Sequence, residues 1–368
     1  MSRRRSIEIK ILFAISLFWE NNVYSKPDAE IIQIKSPACL SQNYSINNYL
    51  DTTKNLTGLW HLEYTGSDLA KNFVKQLPAN ERKKIRVAIW DTSLHYQRPF
   101  GQTSICKETY RTAFIPSFSD GQYMHGHMVS SFISGQFGPM DLNGQIDSIV
   151  HSQWSGKSDL VELSNSVQRG LRIINYSIAK TDIFNPTYGD PKKNTSLALI
   201  DALDKNNVIV ISGTGNWGAE RLEMGYDKQA ESSILVGAID PQGWRADFSN
   251  SSTKRTILFA PGKHVASETP TGQIVSAEGT SFAAPQVTGV VGLALELLPA
   301  LNRQIVEEIL WYTGLNGPKG SQDATPPKII NSYKFIRVIE RLASDIKKLP
   351  AKTEAIVRSH IREKIKKQ

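Results

Sequence analysis

Three side chains in this 368-residue sequence are of the types that together make a hydroxyl group nucleophilic: Asp91, His125 and Ser281, in that chain order. A serine hydroxyl is a weak nucleophile and needs a base within hydrogen-bond range. An imidazole serves as that base when a carboxylate fixes its tautomer and balances the charge it gains. Asp91 stands in Trp90-Asp91-Thr92-Ser93, His125 in Met124-His125-Gly126-His127-Met128-Val129, and Ser281 in the run EGTSFAAP over 278–285. Taken singly, each has a plain structural reading. An aspartate after a strand turns or caps the chain, His-Gly starts a helix, and Gly-Thr-Ser caps one. It is their joint occurrence that points to covalent chemistry.

Groups so far apart in the chain meet only if the elements carrying them converge. Four short runs are apolar and rich in β-branched residues: 85–90, 173–177, 208–212 and 234–239. Residues 125–132, 196–203 and 281–298 have helical spacing instead. Strands alternating with helices predict an α/β fold: a single three-layer domain built on a mostly parallel, doubly wound sheet with helices on both faces. Runs that are apolar throughout, rather than at every second position, fit strands buried on both sides. In such sheets polar working residues gather at the carboxyl ends of the strands. Asp91 follows the first run, and Gly213-Thr214-Gly215-Asn216-Trp217-Gly218 follows the third. His125 and Ser281 are each expected to open a helix. A serine there lies beside free backbone N–H groups and the positive end of the helix dipole, which suits a developing oxyanion.

The segment 279–285 (GTSFAAP), with His125-Gly126 upstream and Asp91 after an apolar strand, resembles the subtilisin-like serine proteases, whose triad runs Asp, His, Ser along the chain. Other segments match in family order. Gly215-Asn216 is similar to the oxyanion asparagine segment, and 174–178 (INYSI) to the strand that pairs with extended substrate. Then follow 236–238 (VGA), 245–249 (RADFS) and 260–262 (APG). The resemblance spans residues 56–345. It implies an endopeptidase acting through a serine acyl-enzyme, with Ser281 as nucleophile, His125 as base and Asp91 orienting it. It further implies Asn216 as an oxyanion donor, and contact of a protein or peptide substrate with Ser177, Ile178, Ala179, Gly213, Thr214 and Gly215. No metal or other cofactor is required for these steps. Calcium is common in the family as a structural ion, and Asp141, Asn143, Gln145 and Asp147 offer oxygens at alternating positions, although such clusters are more often simple turns.

The chain also departs from the family pattern. Ser93 stands where a glycine is usual, His127-Met128 where Thr-His is usual, and Ala179-Lys180 where the substrate strand usually ends in two glycines. His127 reads as a packing histidine, Lys180 as a solvated lysine or a cleft-narrowing one, and Trp217 as the floor of the primary specificity pocket. The departures leave two other functions open. One is a catalytically quiet peptide-binding protein of the same fold, and the other is acyl transfer to amines by the same triad.

The net charge of +8 is concentrated at the ends: residues 1–25 carry +2 and residues 346–368 carry +6, so the chain between is neutral and no nucleic-acid-binding body is expected. With 40% hydrophobic and 21% charged residues, disordered and collagen-like chains are excluded. A basic start, the apolar run 11–19 and Ser25 as a small residue at the cleavage position read as a secretory signal peptide over 1–25, hence a secreted or periplasmic protein. Residues 26–55 form a lead-in too short for a packed folding helper, so the peptidase domain (56–345) is expected to fold without one. In the basic tail (346–368), Val357, Ile361 and Ile365 recur every fourth residue; a solvated end, an anionic membrane and an acidic partner are the alternatives. Cys39 and Cys106 either pair or stay reduced.

Overall fold

The computed structural model describes residues 31–33, 50–51, 56–57, 60–91, 111–113, 120–134, 137–140, 146–150, 163–177, 195–218, 232–252, 257–268, 274–318, 326–348 and 354–366. Ser93, Cys39, Cys106, Ile178, Ala179, Lys180, Asp141, Asn143, Gln145 and residues 1–25 lie outside them.

The four apolar runs form neighbouring central strands. In chain order the main sheet consists of β1 (Arg86–Asp91), β2 (Ile146–Val150), β3 (Leu171–Tyr176), β4 (Ile209–Gly213), β5 (Ser233–Ile239), β6 (Leu258–Pro261), β7 (Leu315–Asn316) and β8 (Lys328–Ile329). Their spatial order is β7-β8-β6-β5-β4-β3-β1-β2, and every pairing is parallel except that of β7 with β8. The main helices among the described residues are α1 (Ser67–Gln76), α2 (Asp120–Ser131), α3 (Thr195–Lys205), α4 (Thr280–Leu297), α5 (Arg303–Thr313), α6 (Ser332–Lys347) and α7 (Glu354–Lys366), with a shorter helix, Trp60–Thr65, ahead of α1.

Side chains alternate across each strand, so the two parities of β1 serve different layers. Val87 and Ile89 pack with Val129 and Phe132 near α2 and with Val287 and Val290 of α4. Ala88 and Trp90 join Ile174, Tyr176 and Val210 on the opposite face, against Ile200 and Leu203 of α3. Both faces are therefore covered, which is the three-layer doubly wound arrangement. Helix α4 is buried almost all round, from Thr280 through Leu295 apart from Ser281, as a helix threading a core must be.

Three local expectations need correction. His125 does not open its helix: α2 begins at Asp120, and the His-Gly pair sits in its second turn. Gly126 breaks the propensity pattern there, but packing of Val129 against the sheet maintains the helix. Asp147, read as part of a turn or cation loop, lies in β2 and pairs with Ala88. The tail does not start a separate unit at 346, because α6 runs through that position with Ile346 buried. Ile361 on α7 is 0% exposed in the main core, while Lys364 pairs with Asp345 at 3.1 Å. At Ile361 the apolar stripe of the tail thus faces its own domain. Replacing Ile361 by Ala should lower unfolding free energy by about 2–5 kcal/mol, the cost of a buried large-to-small change; urea unfolding would measure it, with specific activity unchanged. Among the described residues no helix is long and apolar enough to cross a membrane.

Candidate active site

The parity that points Val87 and Ile89 toward α4 points Asp91 the same way. Its side chain is fully buried at the end of β1, and His125 Nδ1 lies 2.7 Å from Asp91 Oδ1. An ionised carboxylate only accepts, so Nδ1 donates to it and Nε2 is left as the basic nitrogen. The His125 side chain is 30% exposed, which leaves that nitrogen reachable by a substrate. Burial is the largest influence on His125 and disfavours its charged form. The Asp91 charge and hydrogen bond together outweigh it, and the imidazole is held above its ordinary 6.5.

A base acts only when neutral, so the acid limb of kcat/KM should lie above 6.5. The same shift contributes to stability. A histidine bound more tightly to its proton in the folded state stabilises the fold fully below its unfolded value, and this contribution disappears as pH climbs through the raised folded value. A pH–rate profile alongside thermal unfolding at matched pH values checks both signs.

Ser281 enters from α4. Gly279, just before that helix, has φ +149° and ψ 154°, a backbone conformation that side-chain-bearing residues avoid. The His125 ring sits 5.6 Å from the Phe282 ring, centroid to centroid, so the imidazole packs against the residue next to Ser281. Ser281 Oγ donates to the Ser177 carbonyl at 2.9 Å, just past the end of β3. Its hydrogen bond in this structure therefore goes to the expected substrate strand and not to His125.

Asn216 lies in the loop after β4. Its Oδ1 accepts from the Thr280 N–H at 2.8 Å and from Thr280 Oγ1 at 2.9 Å. With the oxygen so engaged, Nδ2 is the free end, and a Cβ placed on Gly279 would come within 3.4 Å of it. Gly215, at φ +102°, donates to Thr280 Oγ1 at 3.2 Å. Gly213 lacks the Cβ that would fall 2.9 Å from Thr280 Oγ1. Asn250 secures the same loop: its Nδ2 donates to the Thr214 carbonyl at 3.1 Å, and its Oδ1 accepts from the Trp217 N–H at 2.9 Å. Gly213, Thr214 and Gly215 thus form the base on which Asn216 stands. Trp217, expected as a pocket floor, is 55% exposed. His127 is fully buried on α2.

Asp91, His125, Asn216, Ser281 and Ser177 are therefore gathered at one end of the sheet. Thr280 and Asn250 were not singled out by sequence reasoning. Thr280 lies inside the 279–285 motif and Asn250 directly follows 245–249, so each was adjacent to a signal that was read. Among the described residues no group of three or more His, Cys, Asp and Glu side chains is placed to hold a metal ion.

The profile of the subtilase family matches residues 82–329, more than half of the chain and the stretch that holds all five residues. The chain belongs to the subtilase family. Subtilisin DY of Bacillus licheniformis is 34% identical to this subtilase over 140 residues, which cover 37% of the chain and 50% of that protein. Subtilisin of Bacillus pumilus is 26% identical over 207 residues, 55% of the chain and 74% of that protein. The match to subtilisin DY thus spans only half of that relative's length. Among solved structures, the prenylagaramide maturation protease PagA superposes with a TM-score of 0.54 at 25% identity, covering 73% of this subtilase and 98% of that chain. The A-subunit of an AB5 toxin from E. coli shares the fold at 16% identity, with a TM-score of 0.56, 76% of this chain and 99% of its own. Helices α6 and α7 of this subtilase lie beyond the family match and pack onto it.

Proposed function

We propose that this subtilase is an exported serine endopeptidase that hydrolyses peptide bonds through an acyl-enzyme on Ser281. The observation that carries the reading is the 2.7 Å pair of a buried Asp91 with a partly exposed His125, whose imidazole packs on Phe282 beside Ser281. Ser281 Oγ turns from the Ser177 carbonyl toward His125 Nε2, gives up its proton and attacks the substrate carbonyl carbon. Asn216 Nδ2 and the Ser281 N–H, one of the helix's orphan first-turn donors, receive the oxyanion. His125 then protonates the departing amine. Water, deprotonated by the same imidazole, releases the acid.

A fluorophosphonate probe that labels the wild type at Ser281, and fails to label Ser281→Ala and His125→Ala, tests the reading directly. The catalytically quiet alternative starts from the Ser281–Ser177 hydrogen bond, and an unlabelled, folded wild type would favour it. Product analysis with an added amine nucleophile separates hydrolysis from acyl transfer. Asn216→Ala should lower kcat by about 10²–10³-fold, a magnitude known from the oxyanion asparagine of subtilisin itself, with KM little changed; steady-state kinetics on a peptide substrate measures it.

Export rests on the basic start and the apolar run 11–19. N-terminal sequencing of protein recovered from outside the cytoplasm should begin at Lys26.

A further inference from the structure

Asn175 is a buried amide in the middle of an apolar sheet. It lies on β3 opposite Ile89 of β1 and Ile211 of β4, on the face that Ile173 shares with α4, and it is 0% exposed. A branched aliphatic side chain would fill this position without the desolvation cost that an amide carries. The amide is offset by two specific contacts. Thr288 Oγ1, also fully buried on α4, donates to Asn175 Oδ1 at 3.1 Å, and Asn175 Nδ2 donates to Ser177 Oγ at 2.9 Å. Thr288 Oγ1 also lies 3.1 Å from the Ala284 carbonyl one turn back.

These contacts close a ring. From Ser281, α4 leads two turns on to Thr288; Thr288 reaches Asn175, Asn175 reaches Ser177, and the Ser177 carbonyl returns to Ser281 Oγ at 2.9 Å. The nucleophile helix and the end of β3 are thus joined at two points, one inside the core and one at the reacting hydroxyl. Ser177 is gripped through its hydroxyl by the interior contact and holds the nucleophile with its carbonyl.

We infer that Asn175 and Thr288 are positioning residues: a buried polar strut that sets the distance from α4 to Ser177, and so fixes where Ser281 rests and where an extended substrate is laid beside it. The inference rests on Ser281 being the nucleophile and on substrate pairing along Ser177. The strut touches no reacting atom and acts through Ser177. Catalysis is sensitive to sub-ångström placement of the attacking group, so loosening the strut should be visible in rate well before it is visible as unfolding.

Thr288→Val keeps the shape and removes the donor, Thr288→Ser keeps the donor, and Ser177→Ala breaks the Asn175 contact from its other side. Below the unfolding transition, Thr288→Val and Ser177→Ala should each lower kcat/KM on an extended peptide by about tenfold. Thr288→Ser should stay within about twofold of wild type. The Thr288→Val/Ser177→Ala double variant should lose no more than the single ones, because both cut the same ring. A purely structural role predicts lowered melting temperatures with wild-type kcat/KM at low temperature, and that result overturns the strut. Should Thr288→Val fail to fold, Ser177→Ala with wild-type kinetics overturns it equally. Fluorophosphonate labelling of the wild type keeps the two failures apart. An unlabelled Ser281 removes the nucleophile reading and the strut with it, whereas a labelled wild type beside unchanged variants removes the strut alone.

Discussion

Ser281→Ala leaves a folded protein whose kcat on a peptide substrate is lower by about 10⁶-fold, the loss known for the nucleophile of subtilisin itself. Little else should change. Alanine is a good residue for the first turn of a helix, and the single hydrogen bond of Ser281 Oγ, to the Ser177 carbonyl at 2.9 Å, has a net value of about 1 kcal/mol. The melting temperature should therefore stay close to that of the wild type while turnover vanishes, so lost activity cannot be ascribed to lost structure. A small residual rate over the uncatalysed reaction should persist, because the proposed oxyanion donors, Asn216 and the backbone N–H groups of α4, are left in place. Retention of several per cent of wild-type kcat would mean that another group attacks, and the assignment of Ser281 would fall.

Much of this site could be read from sequence because its parts are local. Asp91 ends a run that is apolar at both parities, as strands covered on both faces are. Ser281 sits in a seven-residue motif at the head of a long apolar helix, and Asn216 follows a third such run. What could not be read is what holds these parts at their distances. The Asn216–Thr280 contacts link residues 64 apart, Ser281–Ser177 spans 104, and Thr288–Asn175 spans 113. A buried threonine or asparagine looks the same in sequence whether its partner is water, its own helix or a distant strand. Strand β2 was obscured for a related reason: Asp147 and Ser148 on this sheet-edge strand interrupt the apolar pattern. Toward the end of the domain, charge is no guide to burial. Lys347 and Lys348 mark a change of composition, but they directly follow Ile346, which is buried, and α6 continues to Lys347.

Asp91→Asn is the second large loss expected, about 10⁴-fold in kcat and again of a size known from subtilisin. Unlike the change at Ser281, it removes no volume and no reacting atom. Its effect comes through the imidazole. The Asp91 carboxylate can only accept, which keeps the proton on Nδ1 at 2.7 Å and the lone pair on Nε2. An amide in its place can donate instead, and whenever it does, the proton moves to Nε2 and the base is lost. The charge disappears as well. Burial, already the largest influence on His125, then loses the Asp91 charge that opposes it, and the imidazole should titrate lower than in the wild type. The acid limb of the pH–rate profile should therefore move to lower pH even as the plateau drops. Raising the pH should not restore the rate, because what is missing is the correct tautomer and the balancing charge in the transition state. Titration of the His125 ring by NMR, read beside the pH–rate profile, checks both movements. A limb that stays in place, or a plateau within tenfold of wild type, would show that Asp91 does not set the state of His125.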